Sequence, residues 1–542
     1  MTAAPAVSAP APLPIEAETA DRSRRISRIS PRAAVVTLTI VAAILRLLYL
    51  GKQSIWHDEA LSIALTRTSW RDMLVTLAGH DALSPYMVLL RLWTTCFGES
   101  ETAARMPSVI FSVATLPPLY VLARRLAGTR VATVTSILFA LNGFSIRYAQ
   151  ETRCYSLMAL LSVGSWVFFL RCLDAPAVPN YLGYIATSVL GAYTHIFNTL
   201  SYPAQWIPII RRRLRITPQW GLIASIAIIC ALILPKGLSV VFSDVGQDNW
   251  VPRLGLLGVL GFFSMLSGSL VAAHGELLLL TIVHLAAAGS GALALIFRGQ
   301  KSGDRRWFIL LGFAIPIGSV LIVSLVKPLL VARYLNEAFP FFLILCAVGI
   351  CRARPRWLGF VGLAAIAAMS LDQAHRYYQH YPRDNWRGAT AYILSHAKPG
   401  DAVIIVSPGS RWPYDYYVSK SGFAEPPPVI FPDWDSRYRV EGMNWTAYYV
   451  EPEIFEPIVL RTIKDSPHAR IWLVAWPNDA ALHGPDYETF SIFDRRLRVL
   501  RAMYDDLLGA MDKQYRLNSV KDFYGQPQIR VRLYDRTAGG AP

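Results

Sequence analysis

Residues 33–62 read AAVVTLTIVAAILRLLYLGKQSIWHDEALS. The first eighteen of these are predominantly apolar, and a membrane-crossing helix needs about 17–25 such residues. Within a few positions of its end the run gives way to His57, Asp58 and Glu59. The fold therefore turns on whether 33–50 is one isolated apolar helix or the first of many spans. Working outward, comparable runs recur at 105–123, 131–147, 154–171, 181–196, 197–210, 219–236, 277–297, 307–326, 337–350 and 357–371. Of the 542 residues 53% are hydrophobic and 17% charged, whereas a soluble domain carries about 25% charged residues. One soluble globule is excluded. So are collagen-like, coiled-coil and disordered chains, given 12% aromatic residues and no repeat. The reading is a polytopic α-helical membrane protein with about eleven spans.

The net charge of +16 invites a nucleic-acid reading, which the loop charges reject. Loops 21–32, 124–130, 171–180, 211–217, 298–306 and 351–356 hold 20 Lys/Arg and 3 Asp/Glu in 51 residues. Loops 51–104, 147–154, 192–200, 236–253 and 327–336 hold 10 and 9 in 99 residues. Positive charge collects on the cytoplasmic side, so the first set is expected inside and the second outside, and no nucleic acid is expected. The same parity makes the Gly/Ser-broken stretch 254–272 interfacial or re-entrant, because a span there would put 298–306 outside.

Residues 1–32 are read as a cytoplasmic tail, Ala/Pro-rich and disordered at its start and not a cleaved signal peptide. Residues 33–371 form the membrane domain. Residues 372–542 are polar enough for a soluble α/β domain on the outer side. Helical patterns at 386–396 and 493–514 alternate there with strand-like DAVIIVS, ARIWLVAW and QIRVRLYD. This domain contains none of the six cysteines; Cys96 and Cys154 are both expected outside, where their pairing is open. Asn444-Trp445-Thr446 matches a glycosylation acceptor by chance frequency only.

Three outer features could carry chemistry. The first is Asp58-Glu59, beside helices expected to lie on the interface at 61–78 and 86–97, with Trp70 and Trp93 as anchors. An ordinary acidic helix start explains the pair equally well. The second is the loop Arg147 to Tyr155, in which Arg147 and Arg153 either pair with Glu151 or grip a phosphate. The third is Lys327 to Tyr334, with Arg333 close to the next apolar run. Arg46 and His195 are ionisable groups at membrane depth, read blandly as a snorkelling arginine and an interfacial hydrogen bond. No GxGxxG, Walker loop, HExxH or paired CxxC competes.

As a set, WHDEALS (56–62), FGESETAARMPS (97–108), RYAQETRCYSL (147–157), THIF (194–197), RYL (333–335) and DNWRGATAYI (384–393) resemble the GT-C membrane glycosyltransferases. The nearest resemblance is to bacterial relatives of dolichyl-phosphate-mannose–protein mannosyltransferases and of lipid A aminoarabinose transferases. That resemblance implies a polyprenyl-phosphate-linked sugar donor and an active site at the outer face of the plasma membrane. It implies an envelope acceptor: lipid A or lipopolysaccharide, a glycan, or protein. It makes Asp58 the catalytic base and Glu59 the second acidic residue, with Arg153 and Tyr155 of the second loop, His195, and Arg333 and Tyr334 of the late loop at the substrates. Asp81 and Glu151 are the further carboxylates of the set. No cofactor is implied beyond the donor; a divalent cation is left open. The chain departs from its relatives at His80-Asp81-Ala82-Leu83-Ser84-Pro85, where they carry a basic residue before two prolines; His80 or Lys52 would have to replace it. The rival reading, a transporter or lipid flippase, would show corresponding broken halves, and the sequence has none.

Overall fold

The structure, a computed structural model, describes residues 30–78, 84–211, 220–242, 251, 254–270, 276–297, 305–380, 383–432, 452–476, 495–525 and 528–537. The chain enters through α1 (Pro31–Leu47), whose start is fixed by Ser30 Oγ accepting from Ala33 N at 3.1 Å and by Pro31 in the first turn. Three helices follow over the first long loop: α2 (His57–Arg67), α3 (Trp70–Ala78) and α4 (Ser84–Phe97). Trp70, Leu74, Val75, Leu89, Leu92 and Phe97 are exposed on α3 and α4, as an interfacial face requires. Trp93 is no lipid anchor; its indole donates to Ala103 O at 2.9 Å.

The membrane domain continues with α5 (Glu101–Ala127), capped by Ser100 and ended by Gly128 at φ 89°. Then come α6 (Thr129–Leu141), α7 (Gly143–Ala149), α8 (Tyr155–Asp174), α9 (Val178–Thr194), α10 (Tyr202–Arg211), α11 (Trp220–Phe242), α12 (Leu256–Leu266), α13 (Glu276–Phe297), α14 (Arg305–Ser324), α15 (Phe339–Arg352) and α16 (Arg356–His380). Among the described residues α5, α8, α11, α13, α14 and α16 are long and apolar enough to cross a membrane, and the bent pair α6–α7 makes a seventh. The chain is a multi-pass helical membrane protein. Helices α1 and α9, with 17 residues, and α15, with 14, fall on expected spans but are shorter. The expected span 197–210 is not one helix: a 3-10 turn, Ile196–Ser201, precedes α10. The 11 residues of α12 are too few to cross, in keeping with an interfacial or re-entrant 254–272.

Arg46 does not snorkel. It is wholly buried in α1 and donates to Phe139 O and Ala140 O, Ala42 O, and the hydroxyls of Ser112 and Ser145. The α6–α7 bend of 56° interrupts the helical ladder at Asn142, and carbonyls freed there have no water to turn to. The guanidinium supplies their donors. At the far end of the bundle Asp174 binds Arg125 at 2.7 Å and Arg305 at 2.5 Å, tying the ends of α5, α8 and α14 together.

Helix α16 runs on to His380, beyond the expected boundary at 371, before the α/β domain begins. That domain contains α17 (Trp386–His396), β1 (Asp401–Ile405), α18 (Arg411–Ser421), β2 (Val429–Phe431), α19 (Pro452–Lys464), β3 (Arg470–Ala475), α20 (Arg495–Gln514), β4 (Tyr515–Phe523) and β5 (Ile529–Arg536). The sheet order is β2-β1-β3-β5-β4, parallel across β2-β1-β3 and antiparallel at β5 and β4. One face packs on α19 and α20. On the other face Trp386, Ile393, Tyr414, Tyr417 and Trp472 share one core with Ile55, Ala60 and Ile63 of the first loop and α2. Helix α2 is thus wedged between the bundle and the α/β domain. All six cysteines are free, so Cys96 and Cys154 are unpaired with each other. Asn444 lies outside the described residues.

Candidate active site

Asp58 and Glu59 occupy the first turn of α2, where a helix dipole favours negative charge, and α2 turns them to different neighbours. Glu59 is 0% exposed. Arg105 of α5 grips it bidentately at 2.8 and 2.7 Å, Arg383 donates at 2.9 Å, and the backbone N–H of Thr152 at 3.0 Å. Burial would raise this carboxyl, but Arg105 and Arg383 hold it below its usual range. Arg105 also donates to the carbonyls of Leu50, Gln53 and Ser54. Glu59 therefore knots α2, α5, the second loop and the exit from α16.

Asp58 is 16% exposed and faces a different set. His57 Nε2 lies 3.0 Å from Oδ1, and Arg153 Nε lies 4.0 Å from Oδ2. Burial again pushes its carboxyl up; Arg153, His57 and the more distant Arg333 outweigh it and keep Asp58 ionised well below the usual carboxylate range. Arg333, in the 3-10 turn Ala332–Leu335, rests on the rings of Tyr155 and Tyr334 at 5.9 and 5.6 Å. His195, ending α9, stands 4.9 Å from Tyr334 and 6.3 Å from Tyr155, ring to ring. Burial, with Arg153, Arg333 and Lys236 nearby, pushes His195 down to about 3, so it is neutral.

Asp58, Arg153, Tyr155, His195, Arg333 and Tyr334 are thus gathered in one cluster. Glu59 and Glu151 lie in the adjoining arginine knot. Glu151 is 1% exposed and raised by burial; Arg383 lies 3.9 Å from it, and the Arg383, Arg147 and Arg333 charges oppose that rise. Asp81 and His80 lie outside the described residues. Lys52, the other candidate for the missing basic residue, donates to Tyr378 O and Gln379 Oε1, each at 3.0 Å. Among the described residues no group of three or more His, Cys, Asp or Glu gathers where a metal ion could be held.

Sequence reasoning missed Arg105, Arg383, Asp384, Trp476 and Lys236. Lys236 is 6% exposed in α11, and its charge is felt at His195. A lysine inside an apolar run was the available signal. The arrangement can do two things: an ionised carboxylate can take a proton, and the Arg153 and Arg333 guanidiniums can hold a phosphate.

Residues 84–238 match the family model described as dolichyl-phosphate-mannose-protein mannosyltransferase. No curated protein sequence matches the chain. Among solved structures it is similar to ArnT from Cupriavidus metallidurans bound to undecaprenyl phosphate, with TM-score 0.54 and 12% identity over 94% of this chain and 99% of that chain. The apo state of the same protein gives 0.56 at 12% identity, over 94% and 98%. The apo oligosaccharyltransferase from Archaeoglobus fulgidus gives 0.52 at 11% identity, over 96% and 76%. The chain has the fold of these GT-C glycosyltransferases.

Proposed function

We propose that the chain transfers a sugar from a polyprenyl-phosphate carrier to a hydroxyl of a cell-envelope acceptor at the outer face of the plasma membrane, inverting the anomeric centre. In this reading 1–32 is cytoplasmic, the membrane domain carries the catalytic site, and the α/β domain is extracytoplasmic. The observation that carries it is one ionised carboxylate, Asp58, faced by Arg153 and Arg333 at an end of a helical membrane bundle. The undecaprenyl phosphate of the ArnT structure supports it by likeness of fold.

A sugar on a lipid phosphate already has a good leaving group, so no strong general acid is needed. Asp58 takes the proton from the attacking hydroxyl, a step typically contributing about 10²–10⁴-fold. Arg153 and Arg333 hold the phosphate as it gains charge. Its arrival has a second effect. Resting Asp58 is a weak base because Arg153 and Arg333 stabilise its charge. A phosphate drawing on the same guanidiniums loosens that hold and raises the basicity of Asp58 when the donor is in place. Tyr155, Tyr334 and His195 pack their rings around Arg333 and shield it from water.

The test is release of free polyprenyl phosphate by purified protein given polyprenyl-phosphate-linked sugars and an envelope extract. A transporter or flippase releases none, and no release overturns the reading. Arg153→Lys and Arg333→Lys should each raise the donor KM, since an ammonium cannot copy the planar fork. An unchanged KM in both removes them from the phosphate site.

A further inference from the structure

Asp58 has two unlike sets of neighbours. One is Arg153 and Arg333. The other is not supplied by the membrane spans. Trp476, the residue after β3, sets its ring 5.5 Å from that of His57, edge to face, and His57 holds Asp58. Asp384, at the entry to α17, is 2% exposed and its Oδ2 has no hydrogen-bond partner among the described residues. Its carboxyl lies beside the Trp476 indole and near enough to Asp58 to feel its charge. The Trp476 indole N–H is turned to the Asp384 carboxyl, and among the described residues the Trp56 indole N–H, next to His57, is buried without an acceptor. The β4–β5 hairpin fixes this set: a Cβ at Gly525 would stand 2.8 Å from Arg383 O and 2.9 Å from Asp384 Cα.

Buried polar groups without partners are costly, and native proteins keep few of them outside functional sites. Here an aromatic face, two indole donors and a carboxyl converge on the flank of the candidate base. That set matches a polyhydroxylated ring, whose C–H face packs on an indole while its hydroxyls meet the polar atoms. We propose that Trp476 and Asp384 form a subsite for a sugar ring of the acceptor, so the acceptor is itself a carbohydrate rather than a protein hydroxyl. This rests on the glycosyltransferase reading above. The ring is the acceptor's because the attacking hydroxyl must come within reach of Asp58, which His57 and Trp476 flank, while the donor phosphate is read against Arg153 and Arg333.

The test uses the full-length protein in lipid nanodiscs, with methyl hexopyranosides and methyl arabinofuranosides as probes in saturation-transfer NMR. Binding of undecaprenyl phosphate is measured on the same samples. Glycoside binding is expected in the wild type, weakened about tenfold or more in Trp476→Ala and Asp384→Asn, and partly kept in Trp476→Phe, with undecaprenyl phosphate bound equally by all. If Trp476→Ala does not fold, Asp384→Asn and Trp476→Phe decide. No glycoside binding, or equal binding in the variants, overturns the subsite while leaving the enzyme reading intact. Displacement of the glycoside by a polyprenyl-phosphate sugar assigns the ring to the donor and overturns the acceptor assignment. A wild type that binds no undecaprenyl phosphate overturns the function itself.

Discussion

Asp58 and Glu59 are neighbours in the chain with opposite surroundings, and no local pattern separates them. The partners that do so are remote: Arg105 lies 46 positions from Glu59 and Arg383 lies 324 away. The sequence could show that two carboxylates begin a helix, but not that one is saturated by arginines and the other turned to an open cluster. Asp58→Asn should leave folding intact and lower turnover about 10²-fold or more. Glu59→Gln should act on stability, because Arg105 and Arg383 would be left buried with only a neutral partner; losing one member of a buried pair costs about 3–5 kcal/mol. Turnover and thermal midpoints of both variants decide. A dead but fully stable Glu59→Gln beside an active Asp58→Asn would exchange the roles. Asp384 gives a pH test. Burial pushes it up to about 8 from 3.8, with Asp58 adding to that and Arg383 opposing it. Between those values the folded chain holds a proton that the unfolded chain has lost, so stability falls as pH rises from about 4 to about 8. Asp384→Asn has no such loss. Its thermal midpoint should gain on the wild type across that window and no further above it; a constant gap would mean that Asp384 is ionised in the fold.

Apolar runs made most helices legible, because period and length survive in one dimension. The break between α6 and α7 was passed over, since the run 131–147 was read as continuous and the groups that hold the bend, Arg46, Leu266 and Gly268, lie on other elements. Asn142 starts α7 by accepting from Phe144 N at 2.8 Å and donates to Leu266 O at 3.0 Å. Gly268, at φ 85°, meets the backbone of Gly143 so closely that a Cβ on either would collide. These contacts set the bend that carries the chain into the loop holding Thr152 and Arg153. Arg46→Met should leave the carbonyl of Ala140 without its guanidinium donor and that of Phe139 with the Ser145 hydroxyl alone, at about 1–3 kcal/mol for a buried group left unsatisfied. Arg46→Lys should fall between, since one ammonium cannot reach all five acceptors. Denaturant unfolding in detergent measures this, and a Met variant as stable as the wild type would remove Arg46 from the bend.

On the scale of the molecule, the bundle and the α/β tail were readable, down to β1, β3, β5 and helices α17 and α20. The clasp between them was not. Strand β4 (YRLNSVKDF) has too few apolar positions to announce itself as an edge strand, and its hairpin with β5 reaches back to Gly525 against Arg383–Asn385. The clasp joins residues hundreds of positions apart: Tyr417 accepts from Ile55 N at 2.7 Å, and Arg387 pairs with Glu101 at 2.7 Å.

That clasp carries the last prediction. The α/β domain and the Asp58 cluster are held at one end of the bundle, where α5 begins at Glu101 beside Arg387. The other end is where Asp174 ties Arg125 to Arg305, so the basic loops 124–130 and 171–180 and the basic start of α14 meet there. Positive charge resists translocation across the membrane, so the Asp174 end should be cytoplasmic and the Asp58 end outside. Thr129 and Ser421 are exposed, one near each end. In a background with Cys96, Cys230 and Cys351 replaced by Ser, a membrane-impermeant maleimide applied to intact cells should label Ser421→Cys and leave Thr129→Cys untouched until the membrane is opened. The opposite pattern would place the site in the cytoplasm, and a polyprenyl-phosphate donor would then have to present its sugar on that side. Labelling of both in intact cells would mean that the two ends face the same compartment, which the run of α5 from Arg387 to Asp174 does not allow in a single folded population.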